Sequence, residues 1–253
     1  MPWIHPGLLV LVVGAALFGA ANPVTAGGAN SVVIASAACA IGADEVDDAL
    51  LPATHDDALP DGYVPPDLVS LSLFGVSERG SWELRSALIP DLMDMVQAAQ
   101  ADATQLSITS GYRSYPVQVA TYAYWVRLFG ASSADLRSAR PGHSQHQLGT
   151  AIDFNLGSDF TASPAVGWLW DHAHEYGFVF PYTAASRARS GYIFEPWHVR
   201  WVGRPLAQLM WADGYQYSDE MTADDYIAIA RAELLRPELA AACDPGATSP
   251  SSL

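Results

Sequence analysis

The sequence predicts an α+β domain, and three observations predict it. Half of the 253 residues are hydrophobic and only 15% are charged, which supplies one sizeable core and argues against wholesale disorder. Segments with helical spacing are bracketed by Ser-Pro starts and Gly stops. Between them lie stretches rich in aromatic and β-branched residues, without the regular βαβ spacing that a doubly wound sheet needs.

The elements follow in order. An unbroken apolar run over 8–21, then Pro23 and the small-residue pattern Val24-Thr25-Ala26, reads as a signal peptide over 1–26, too short to span a bilayer comfortably. Its start, Met1-Pro-Trp-Ile-His, has no Arg or Lys, so an uncleaved leader stands as the alternative. Residues 27–58 are Ala- and Asp-rich with little hydrophobic periodicity and read as an acidic, solvated tether. Globular patterning begins at 59 and runs to 212. Leu84, Leu88, Leu92, Met95, Val96 and Ala99 fall at helical spacing, with Pro90 marking a kink or the true start. A strand over 106–109 follows. Ser114, Pro116 and Gly130 bracket a helix over 115–129, and Ser163, Pro164 and Gly177 bracket another. Strands are expected over 150–156, 178–181 and 192–202. In the remaining 213–253, Thr222 with Asp225 three positions on caps a last helix, followed by a tail. Cys39 and Cys243, near opposite ends of an exported chain, read as one disulfide; a lipid anchor on Cys39 is the competing reading.

Composition also excludes. The net charge is 12 − 27 = −15, and every basic residue apart from histidine is arginine, because the chain contains no lysine. P-loop, pyridoxal Schiff-base and Ser-x-x-Lys chemistries all need that lysine. The acidity and the scattered arginines argue against a nucleic-acid partner.

Three stretches concentrate polar groups that a core does not want: residues 110–114, 141–153 and 195–198. Asp153, between Ile152 and Phe154 on a strand that reads as buried, must find a strong partner. That partner is an arginine, a helix N-terminus or a metal. Pro196 keeps Glu195 out of helical geometry, so Glu195 and His198 lie on an extended segment rather than in a helical His-Glu-x-x-His. His146, Asp153 and His198 form a three-ligand set that leaves a zinc position open, as in catalytic sites. Glu195 then suits a general base and acid, and Arg113 suits a substrate carboxylate or a developing oxyanion. A serine nucleophile at Ser144, with His143 or His146 as base, is the rival chemistry; it lacks the Gly-x-Ser-x-Gly elbow.

Ser110-Gly-Tyr-Arg-Ser114 with Gln118, then Ser144-Gln-His-Gln-Leu-Gly-Thr-Ala-Ile-Asp153, then Glu195-Pro-Trp-His-Val-Arg-Trp-Val-Gly203 together resemble the VanY-type D-alanyl-D-alanine carboxypeptidases, zinc peptidases of the LAS superfamily. The likeness covers about 59–212. It implies a single α+β domain with a small antiparallel sheet flanked by helices. It further implies Zn2+ on His146, Asp153 and His198, proton transfer by Glu195, and substrate orientation or stabilisation of the tetrahedral intermediate by Arg113. Gln118 and Ser144 occupy positions that line the family's pocket, which implies substrate contacts. The expected partner is a peptidoglycan stem peptide, met after export to the cell envelope, with D,D- and L,D-carboxypeptidase specificity both open. A catalytically silent zinc domain that binds cell-wall peptide and an endopeptidase of the same fold are the alternatives.

Overall fold

The computed structural model describes residues 33–34, 37, 48–76, 78–157 and 163–235. The leader over 1–26 and the Cys39 and Cys243 pair lie outside the described residues.

An antiparallel pair, β1 (Leu68–Ser70) and β2 (Glu83–Arg85), precedes α1 (Ile89–Ala101). Pro90 sits in the first turn of α1, where its missing N–H costs nothing, so it is the true start rather than a kink. Leu84 therefore belongs to β2, although its spacing fits the helix. After β3 (Ile108–Ser110), α2 (Tyr115–Phe129) has the bounds that Pro116 and Gly130 announce, and the short α3 (Ala131–Ala134) follows. Next come β4 (Ala151–Phe154), α4 (Pro164–His172), β5 (Phe178–Val179), α5 (Arg187–Ser190) and β6 (His198–Trp201). The strand expected over 192–202 shrinks to β6 because a turn at Pro196, closed by His198 N–H donating to Glu195 O at 3.1 Å, interrupts it. The helix α6 (Arg204–Ala212) was not anticipated, although Pro205 in its first turn marks its start. In α7 (Ala223–Leu234), Thr222 and Asp225 form the expected capping box.

The main sheet runs β3-β4-β6-β5, with every neighbouring pair antiparallel. Its register decides where the chemistry lies. Ile152 pairs with Val199, and both are fully buried in the same cluster as Leu92 and Met95 of α1, Leu169 of α4, Leu206 of α6 and Ile227 of α7. Each such side chain contributes about 1.5–3 kcal/mol of transfer free energy. One residue along, Asp153 pairs with His198 on one side and Ser110 on the other. Side chains alternate faces along a strand, so this polar row emerges opposite the core.

The segment over 48–58, expected as tether, is packed against the domain. Ala49, Leu50 and Ala53 are fully buried, and the Arg200 guanidinium donates to Ala49 O and Leu51 O at 3.3 and 2.8 Å. Asp48 pairs with buried Arg85 at 3.0 Å. The acidic composition hid a short apolar run that the sheet side takes up. At the other end, Tyr226, Ile227 and Ala230 of α7 join the main core, so residues beyond 212 complete the same hydrophobic unit.

Candidate metal centre

Two strands and one turn bring the polar residues together. Asp153 and His198 are cross-strand partners, so their side chains share a face without help from distant loops. His146 arrives on the 3₁₀ turn Gln145–Leu148, which ends at Gly149 with φ +69°. The left-handed φ favours glycine there, and a Cβ at Gly149 would also press on Leu68 Cδ2 at 2.9 Å; β4 begins two residues on.

His146 Nε2 lies 3.2 Å from Asp153 Oδ2, and His198 Nδ1 lies 3.0 Å from Asp153 Oδ1. The ligating atoms of the three residues all fall within 4.8 Å of one another, and both rings are buried. Outward from the cluster, His146 Nδ1 sits 2.8 Å from Gly111 O, and His198 Nε2 sits 3.1 Å from Gln145 Oε1. A backbone carbonyl only accepts, so the proton of His146 is on Nδ1 and the Nε2 lone pair faces Asp153. Burial holds His146 below its ordinary pKa despite the pull of Asp153, which keeps the imidazole neutral. Burial pushes the Asp153 carboxyl up, but His146 and His198 outweigh it and hold it well below the usual carboxylate range. A neutral imidazole lone pair set against an ionised carboxylate is a donor set for a cation. Two nitrogens and an oxygen suit zinc, whose bonds of about 2.0–2.2 Å separate neighbouring ligand atoms by roughly 3.3 Å.

A cleft of about 270 Å³ opens on this cluster, lined also by Arg113, Ser144, Tyr182, Tyr192 and Glu195. Burial, reinforced by Asp153 and partly offset by Arg113, holds the Glu195 carboxyl well above its ordinary range. Arg113 Nη2 donates to Ser110 Oγ at 3.0 Å and lies 3.8 Å from Asp153 Oδ2, while Nη1 donates to Gln118 Oε1 at 2.9 Å. Gln118 is itself fully buried, with its Nε2 donating to Ala139 O at 2.6 Å and Ser138 Oγ at 3.3 Å. It therefore stands behind Arg113 instead of on the cleft wall. Ser144 is on the wall. Neither nitrogen of His146 is directed at Ser144, and His143 Nδ1 sits 2.9 Å from Thr54 O, so no serine-histidine pair forms.

Four further residues stand at the cluster without having been singled out for a role by the sequence. Ser110 and Gln145 lie inside the quoted motifs and were legible as neighbours of Arg113 and His146. Tyr182, whose ring stacks on His198 at 5.1 Å between centroids, and Asp224, which accepts from Gln145 Nε2 at 3.2 Å, carry no linear signal.

Residues 81–204 match the family model VanY, described as D-alanyl-D-alanine carboxypeptidase. YodJ of Bacillus subtilis (strain 168) is 32% identical over 178 residues, 67% of this chain and 63% of its own length, so this chain spans less than two thirds of that relative. Among solved structures, the LdcB LD-carboxypeptidase is similar with a TM-score of 0.62 and 29% identity, over 72% of this chain and 87% of that one. A vancomycin-resistance D,D-pentapeptidase VanY variant, solved in complex with Zn(II), is similar with a TM-score of 0.58 and 26% identity, over 66% of this chain and 94% of that one.

Proposed function

The chain belongs to the VanY-type D-alanyl-D-alanine carboxypeptidase family, and from that premise we propose that it is an exported zinc peptidase removing the C-terminal D-alanine from peptidoglycan stem peptides. One observation carries the reading. Two imidazole nitrogens and a carboxylate converge at the floor of a cleft that also holds a buried glutamate and an anchored arginine. Export is supported by the apolar leader and by the extracellular location of the substrate. Among the described residues, no helix is long and apolar enough to cross a membrane.

In this reading His146, Asp153 and His198 hold the ion. The chemistry supplied by zinc on such a ligand set is Lewis-acid polarisation and a lowered water pKa. Glu195 takes the proton of the attacking water on its carboxylate and passes it to the departing D-alanine amine as the C–N bond breaks. Arg113, its fork held by Ser110 and Gln118, receives the terminal carboxylate of the substrate or the developing oxyanion. Tyr182 and Tyr192 wall the cleft and limit water around Glu195. Ser144, at the N-terminal end of the ligand turn and on the cleft wall, offers a polar contact for the peptide backbone.

Because similar structures include both an LD-carboxypeptidase and a D,D-pentapeptidase, stem pentapeptide and tetrapeptide are tested in parallel. The purified chain is incubated with each, with and without chelator, and the products are weighed. Chelator-sensitive loss of one D-alanine is the expected result, and the preferred peptide assigns the specificity. Cleavage at an interior bond assigns an endopeptidase. Binding without any product assigns a silent peptide-binding domain, and either result overturns the carboxypeptidase reading.

A further inference from the structure

The outer side of His198 is connected to the C-terminal helix, beyond the segment that matches the family. His198 Nε2 lies 3.1 Å from Gln145 Oε1; Gln145 Nε2 donates to Asp224 Oδ1 at 3.2 Å; and Asp224 Oδ1 lies 3.5 Å from Arg200 Nη1. Arg200 and His198 share a face of β6, two residues apart, and Arg200 is fully buried. Gln145 is 1% exposed, so water does not substitute for its partners. Asp224 itself is held at the start of α7, next to the Thr222 and Asp225 capping box.

A histidine can ligate through either nitrogen, and the other must carry the proton. An amide can be turned either way, with its oxygen or its NH₂ toward the ring. A carboxylate only accepts, so Asp224 requires the NH₂ end of Gln145. The amide oxygen is thereby left facing His198, where it requires Nε2–H. Nδ1, 3.0 Å from Asp153 Oδ1, is then the nitrogen that faces the ligand cluster and offers its lone pair to an ion held there. Burial pushes the Asp224 carboxyl up to about 6, partly offset by the Arg200 charge, so above that pH it is an acceptor.

We infer that Asp224, acting through Gln145, is a positioning residue that sets the tautomer of His198 so that Nδ1 is its ligating atom. The inference rests on the reading that His146, Asp153 and His198 hold zinc. Outer partners of ligating histidines typically govern about 10–100-fold in metal affinity.

The test uses the full chain, with ¹⁵N-histidine labelling and zinc competition against a chromophoric chelator. In zinc-loaded wild-type protein, where the ion takes the Nδ1 lone pair in place of the proton that Asp153 otherwise draws there, long-range ¹H–¹⁵N correlations are expected to show His198 protonated on Nε2. Gln145→Leu removes the acceptor and is expected to populate both tautomers and weaken zinc binding about 10–100-fold. Asp224→Asn lets the Gln145 amide turn over and is expected to weaken it by roughly 10-fold, while His146 keeps its Nδ1–H signature. A merely structural role would move thermal stability without moving the His198 tautomer. His198 protonated on Nδ1 in the wild type, or zinc affinities of both variants equal to wild type, overturns the inference. Should either variant fail to fold, the wild-type tautomer decides. A wild-type chain that binds no zinc overturns the metal reading, and this inference with it.

Discussion

Gln118→Leu tests whether Arg113 is held in place or merely present. Leucine keeps the volume but deletes three hydrogen bonds: acceptance from Arg113 Nη1 at 2.9 Å, and donation to Ala139 O at 2.6 Å and Ser138 Oγ at 3.3 Å. The side chain is fully buried, so the orphaned guanidinium N–H and the Ala139 carbonyl are poorly placed to recruit water. Each unsatisfied buried group costs about 1–3 kcal/mol, and leucine recovers part of this by apolar burial, so the net loss is about 2–4 kcal/mol. For a domain of this size that lowers the Tm by roughly 5–15 °C. Arg113 keeps its bond to Ser110 Oγ but loses the second point that fixes its plane. A displacement of about 1 Å at a positioning group costs up to ~100-fold, so kcat/KM for D-alanine release should fall about 10–100-fold. Zinc affinity should stay at the wild-type level, because Gln118 touches none of the three ligands. Calorimetry, a D-alanine release assay and chelator competition measure the three quantities. Wild-type kcat/KM together with the expected Tm loss would refute the positioning role, leaving Gln118 as a packing residue. An equal loss of zinc affinity would show that the substitution disturbs the metal cluster rather than Arg113.

Three further outcomes are expected. Glu195→Gln should lower kcat by about 10²–10⁴-fold while retaining zinc, as measured by turnover and calorimetric titration, since it removes the proton acceptor and leaves the ligand set intact; retained turnover refutes the assignment of Glu195. Asp135 accepts from Tyr122 Oη at 2.6 Å and from both Arg140 Nε and Nη2, at 2.9 and 2.8 Å, and Arg140 holds its carboxyl down at about 2. A folded-state value below the ordinary 3.8 gives stability that is present above that value and lost as the pH falls toward 2. Discounted for solvent screening, Asp135→Asn should cost about 1 kcal/mol at neutral pH and little at pH near 2, read from urea unfolding midpoints; a pH-independent difference contradicts this. Gly177 closes the α4 region at φ +86°, and a Cβ there falls 2.9 Å from the backbone of Gly203 and Arg204. Gly177→Ala should therefore cost about 2–4 kcal/mol, combining the left-handed penalty with a clash that no side-chain rotation relieves. An unchanged unfolding midpoint would exclude that account.

The local elements were legible because their signals are local. Pro116 and Gly130 bound α2, Ser163 and Pro164 open α4, and Thr222 with Asp225 caps α7, each through geometry set within a few residues. Leu84 misled because helical spacing persists across a boundary that Pro90 alone marks. The tether reading failed over 48–58 for a different reason. Asp48, Asp56 and Asp57 continue the acidic character of the residues before them, whereas Ala49, Leu50 and Ala53, which decide its packing, form a run too short to show periodicity.

By itself, then, the sequence determined the fold class and the roster of chemical groups: His146, Asp153, His198, Glu195 and Arg113 lie in short runs whose resemblance to the VanY-type carboxypeptidases implies a metal and a proton carrier. Only the tertiary structure decided how those groups are held. The Asp153–His198 pairing depends on strand register, the burial of Gln118 on how α2 meets the segment around Ala139, and the Gln145–Asp224 contact on two residues 79 positions apart. Periodicity and caps record what each stretch of chain prefers. Which stretches then meet is set by burying their apolar faces together, and no residue along the chain announces its partner.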